Sequence, residues 1–196
     1  MRRSLDLLKA ATVMLMAAAL TSCATLTNLD KSYSLGSNPT RSIVIIGVKP
    51  DDIRFGVEEG ALVDDQFKWS ATATPILAVY PENGYVVAVM DATDPDQIYA
   101  LTNLMQSIHH YRGCGRALET FGIEPGKVVY LGDFEFASPP AGLKHTISYD
   151  PASAEAFIRD NYPNLKDVPF VTEKTVQRDE VGFRQNDAQW LMTTCG

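Results

Sequence analysis

The sequence predicts a mainly β protein: an antiparallel β-sandwich with one short α-helix near residues 151–161, preceded by a signal peptide and a flexible tether. Three observations carry this reading. Apolar runs rich in β-branched residues recur at 42–50, 76–90 and 121–136, and each contains or ends in a Gly, Pro or Asn turn signal. The best helix signals of the domain are confined to 150–163. The composition, 45% hydrophobic and 21% charged, is that of a chain able to bury a core.

Residues 1–22 are expected to be an address label rather than part of the fold. Arg2, Arg3 and Lys9 form a positive start, and "AATVMLMAAAL", Ala10 to Leu20, is a short apolar run. That run is shorter than the ~20 residues of a permanent membrane span and suits a signal peptide. The junction Leu20-Thr21-Ser22-Cys23 then resembles the lipobox of bacterial lipoproteins. The resemblance implies diacylglycerol attached to the Cys23 sulfur, cleavage before Cys23 and acylation of the new amino group. Two or more acyl chains anchor a protein firmly to a bilayer. Ala24 in place of Asp implies, by the enterobacterial pattern, an outer-membrane destination with the domain facing the periplasm.

Removing the signal leaves 174 residues, enough for one domain and a tether. The formal charge moves from −7 for the whole chain to −9, because the signal holds three cations and one anion. Such a charge disfavours nucleic-acid binding, and no basic stretch with interleaved aromatics offsets it. Cys114 and Cys195 remain as a pair, and in an oxidising envelope the default expectation is a disulfide between them.

Residues 23–41 read as the lipidated tether, since 24–40 are rich in Ser, Thr, Asn and Gly. A single domain is expected over 42–196. It opens with "SIVIIGVKP", a buried strand ended by Gly and Pro, followed by a second strand in which Ile53, Phe55 and Val57 alternate with Arg54 and Gly56. The carboxylates around it, Asp51, Asp52, Glu58, Glu59, Asp64 and Asp65, are read as solvated turn residues. "ILAVYPENGYVVAVM" and "FGIEPGKVVYLGDFEF" are read as two β-hairpins around Pro-Glu-Asn-Gly and Glu-Pro-Gly-Lys turns, with Gly132 marking a bulge or a close backbone approach.

Residues 93–115 carry both helical and alternating spacing, and their position between strand-rich segments favours a strand. "LKHTISY" is a strand. "DPASAEAFIRDNYP" is a helix with Asp150 as N-cap, Pro151 at the first position and a stripe of Ala154, Phe157 and Ile158. "PFVTEKTVQ" is a last short strand, and the tail to Cys195 has only Trp190, Leu191 and Met192 as an anchor. The segment "CGRALETFGIEPGKVVYLGDFEF", with a strand, a short helix and "YPNL" after it, resembles a group of uncharacterised bacterial lipoproteins with a β-sandwich domain. That resemblance implies a fold and no activity.

No motif identifies a reaction, a cofactor or a metal. His109 and His110 are adjacent and diverge on any regular backbone, and His145 is isolated on its strand as a packed or rim residue. Cys114 with His109 lacks a nucleophile turn, and "DATDPD" lacks the Gly and distant Glu of a calcium loop. Asp133 and Glu135, two apart on a strand taken as an edge, are the one pair that suggests a hydrolase of envelope material. Trp69, Tyr80, Tyr85, Tyr99 and Tyr130 could instead line a stacking face, although aromatics are common on half-buried strands. The expected function is a lipid-anchored binding or scaffolding module, with the membrane as one partner and an envelope protein or glycan as another. A non-catalytic role is favoured, with the hydrolase of envelope material as the alternative.

Overall fold

A computed structural model describes residues 28–36, 40–69, 77–106, 109–112, 119–137, 144–177 and 184–186. They form two sheets with a helix on the outer face of the first, so the predicted mainly β sandwich with one helix is what the chain adopts. No helix among the described residues is long and apolar enough to cross a membrane.

The strands are β1 (Arg41–Lys49), β2 (Ile53–Val63), β3 (Gln66–Trp69), β4 (Leu77–Val79), β5 (Tyr85–Asp91), β6 (Ile98–Gln106) and β7 (His109–Arg112), then β8 (Glu119–Phe121), β9 (Val128–Ala137), β10 (Lys144–Ser148), β11 (Phe170–Thr172), β12 (Val176–Gln177) and β13 (Arg184–Asn186). The first sheet runs β10-β9-β1-β5, with β11 also on β9. The second runs β12-β8-β6-β2-β3, with β4 on β2 and with β7 joining β6 to β13. In the first sheet β1 and β11 are parallel to β9, whereas the remaining pairs are antiparallel.

β1 is apolar at nearly every position because it is covered on both faces. Val44, Ile46 and Val48 enter the core between the sheets with Ile53, Val57, Leu104, Leu131 and Phe134. Ile43 and Ile45 enter a second core beneath the helix, with Val128, Tyr130, Ala154, Ile158, Tyr162 and Leu165. A strand buried on both sides loses the alternation of a half-exposed one. The segment 93–115, ambiguous in the sequence, turns at 95–96 and is then extended as β6 and β7: β6 carries Tyr99, Leu101 and Leu104 into the inter-sheet core.

The helix α1 (Pro151–Asn161) starts where expected. Asp150 Oδ1 accepts from the Ser153 N–H at 3.1 Å, and Oδ2 accepts from the Ser153 hydroxyl at 2.7 Å. These contacts satisfy an otherwise orphaned N-terminal donor. Ala154 and Ile158 are buried and Phe157 is half-buried, which docks the predicted stripe on the first sheet.

Several expectations change. The two "hairpins" do not pair with themselves. β4 lies in the second sheet and β5 in the first, and β8 and β9 are separated in the same way. The turn chemistry is as read: Asn83 and Gly84 have φ of 52° and 83°, and Glu82 and Tyr85 exchange backbone hydrogen bonds. A tight turn reverses the chain locally but does not dictate which neighbour the departing strands find. The expected last strand is two short ones, β11 and β12, in different sheets.

Part of the expected tether is docked on the domain. Leu35 is buried, and Leu29 and Tyr33 pack against the core beneath the helix. The Leu29 N–H donates to the Val87 carbonyl at 2.9 Å, and the Asn28 side chain accepts from the Val87 N–H at 3.0 Å. This stretch thereby occupies part of the outer edge of β5, whose exposed backbone groups would otherwise invite pairing.

Candidate functional site

Asp133 and Glu135 are the strongest candidates for chemistry in the sequence, and their strand explains where they point. β9 is not an edge strand, because β1 flanks one side and β10 and β11 the other. Along it, Val129 and Leu131 face the inter-sheet core, and so do Phe134 and Phe136. The parity changes because β9 uses three steps, Tyr130 to Asp133, against two on β1, Ile45 to Gly47. Gly132 sits in this bulge with φ +108°, a conformation open to glycine and costly for other residues. Strict alternation would have driven Asp133 and Glu135 into the apolar core. The bulge turns them to the helix side.

There the two carboxylates separate in character. The Tyr130 hydroxyl accepts from the Asp150 N–H at 3.1 Å and lies beside the Asp133 side chain. Burial, with Asp133 adding to it, raises the Tyr130 pKa far above its ordinary value, so this hydroxyl stays protonated as a donor. Asp133 also fills the space above Gly47, where an added Cβ would lie 1.9 Å from its Oδ1. Glu135 is solvent-exposed. A structural tyrosine–aspartate contact and an exposed glutamate do not make a paired acid and base.

A different pair of carboxylates meets at one end of the sandwich. Arg41, Glu59, Val89, Met90, Asp91 and Tyr99 line an open cavity of about 270 Å³. Arg41 Nε donates to Asp91 Oδ1 at 3.1 Å. The Tyr99 hydroxyl donates to the Asp91 carbonyl at 2.5 Å and takes a hydrogen bond from the Gln97 amide at 2.8 Å. Burial first, then the Glu59 and Asp91 charges, push the Tyr99 pKa strongly upward. Arg41, Asp91 and Tyr99 are thus committed to partners at this cavity, and Glu59 adds a negative charge beside Tyr99. Glu58, expected in a solvated turn, is instead a buried residue of β2, at 8% exposure.

His145 has a partner that the sequence did not suggest. Its Nε2 lies 2.9 Å from Glu119 Oε1, across from β10 of one sheet to β8 of the other, with side-chain exposures of 6% and 4%. Phe134 stacks on the imidazole at 6.1 Å and Phe136 lies at 5.9 Å. The pair bridges the two sheets at their margin. Nothing in spacing could have found it, since the residues are 26 apart on strands of separate sheets.

The aromatic residues do not share a face. Tyr99 is in the inter-sheet core, Tyr130 is under the helix, Tyr85 packs on Phe157 at 4.6 Å, and Tyr80 is half-exposed. The side chains of Trp69, His109 and His110 lie outside what the structure describes, as do Cys23, Cys114 and Cys195. Among the described residues no three His, Cys, Asp or Glu side chains gather to hold a metal ion. No family model, curated protein or solved structure matches this chain.

Proposed function

We propose that this chain is a lipid-anchored protein of the bacterial outer membrane whose sandwich serves as a binding or scaffolding module in the periplasm. The observation that carries the reading is the junction Leu20-Thr21-Ser22-Cys23 behind a basic start and a short apolar run. The docked segment fits such a role. It includes Asn28, only a few residues from Cys23, so the domain would be held close to its anchor.

The second reading, a hydrolase of envelope material, has less support. Asp133 is engaged by Tyr130, Glu135 is exposed, and neither lines the described cavity. Metabolic labelling with palmitate tests the first reading. The wild-type protein is expected to take up label and fractionate with outer membrane, and Cys23→Ser is expected to do neither. An unlabelled wild-type protein recovered in the soluble fraction would overturn the proposal.

A further inference from the structure

β5 is the edge of the first sheet, and described residues cover only the first part of its outer side. In an antiparallel ladder the N–H and C=O of one residue point the same way, and those of the next point the opposite way. Val87 points outward: its N–H donates to the Asn28 side chain and its carbonyl accepts from the Leu29 N–H. The chain then leaves this edge. Lys31 reaches Glu82 at 2.7 Å, and the Ser32 carbonyl accepts from the Asn164 amide at 2.7 Å. Two positions beyond Val87 the Val89 backbone also points outward, and nothing among the described residues bonds it there.

That uncovered stretch opens on the cavity at the end of the sandwich. Val89, Met90 and Asp91 are its β5 wall, and Arg41, Glu59 and Tyr99 reach it from β1, β2 and β6. Arg41 is engaged within the domain, by Asp91 on one side and beside Tyr33 on the other. Glu59 is different. It stands opposite Tyr99 in the β2–β6 register, is half-buried, and has no hydrogen bond or ion pair among the described residues. Two carboxylates face one guanidinium here, so the unmet charge is negative. A half-buried carboxylate without a partner favours a cation that brings its own donors.

We propose that the β5 edge and this cavity together dock an extended peptide segment of a partner protein that presents a lysine or arginine side chain. The peptide backbone continues at Val89 the pairing that Asn28 and Leu29 make at Val87. Its basic side chain enters the cavity, lays its apolar stem along Val89 and brings its charge to Glu59. Val89 belongs to both features, which is why one short segment can use them at once. The proposal deepens the binding-module reading above by naming the chemistry of the partner.

The test titrates the nitrogen-15-labelled mature chain, carrying Cys23→Ser, with the strand-forming peptide acetyl-Thr-Val-Lys-Val-Thr-amide. Saturable shifts and slowed hydrogen exchange are expected at the Val89 amide. The same peptide with norleucine in place of lysine is expected to bind about tenfold more weakly, and Glu59→Gln to weaken the lysine peptide by a similar factor. Glu135→Gln, which removes an exposed carboxylate on β9, is expected to change nothing.

If Glu59→Gln fails to fold, the norleucine peptide on the unsubstituted domain decides. No saturable shift up to about 10 mM peptide, equal affinity for the norleucine peptide, or shifts that leave Val89 untouched would overturn the proposal. So would acetyl-lysine methylamide binding as tightly as the peptide, because the edge would then contribute nothing. Peptide binding does not depend on acylation, so its failure is distinguishable from a loss of palmitate labelling at Cys23.

Discussion

Gly132 decides more about this protein than any charged residue near it. Its bulge changes the parity of β9 and places Asp133 and Glu135 on the helix side. An added Cβ would lie 2.7 Å from Ile147 Cγ2, on a backbone at φ +108°. Gly132→Ala is therefore expected to destabilise the fold by about 1–3 kcal/mol, the usual range for a side chain forced into a strained backbone region. Urea unfolding measures it, and a wild-type midpoint would show that the bulge relaxes. The sequence flagged this glycine but not its consequence, because which partner strand lacks the extra residue is a property of the pair.

The Glu119–His145 contact makes a second residue-scale prediction. Glu119→Leu alone leaves a buried imidazole without its partner and is expected to cost about 1–3 kcal/mol. Combining it with His145→Phe, which extends the Phe134 and Phe136 cluster, is expected to recover most of the loss. A strictly additive double-mutant cycle would refute an interaction between the two side chains.

Elements were legible wherever their signals were local. The α1 cap, its Pro151 start and its buried stripe depend on residues within one or two turns, so the chain announces them. Hydrogen bonds from the Ser153 side chain and then its backbone hold the Asp150 carboxyl below its ordinary 3.8. A depressed carboxylate pKa contributes stability above its unfolded value, and that contribution fades as pH falls through the folded one. Asp150→Ala is thus expected to lower the thermal midpoint at neutral pH. The gap to wild type should close in acid below the ordinary aspartate range. A gap that persists there would assign the effect to something other than the ionised cap.

The two turn-linked strand pairs show the limit of local signals. Asn83 and Gly84 make the turn that the sequence announces, yet β4 and β5 diverge into separate sheets. Pairing is settled by which apolar faces meet. Val79 joins the core on β2, while Val86 and Met90 approach the same core from the opposite sheet, beside β1. Residues 28–36 are the converse case. Their polar composition reads as a linker, but Leu29, Tyr33 and Leu35 dock on the core, with Asn28, Lys31 and the Ser32 carbonyl holding partners on the domain.

At the scale of the whole molecule, Cys114 and Cys195 add a prediction that needs no structure. Exported to the periplasm as a Cys23→Ser variant and purified without reductant, the protein is expected to weigh about 2 Da less than its reduced chain, as one disulfide requires. An unchanged mass would remove the bridge.

By itself the sequence determined the fold class, the helix and its cap, the doubly covered β1 and the turn at Asn83-Gly84. Each follows from short-range sterics, capping or burial periodicity. Only the tertiary structure decided the assignment of strands to sheets, the side of β9 that carries Asp133 and the Glu119–His145 bridge. Those outcomes depend on pairing register and on contacts between distant segments, where a shift of one residue moves a whole set of side chains to the other face.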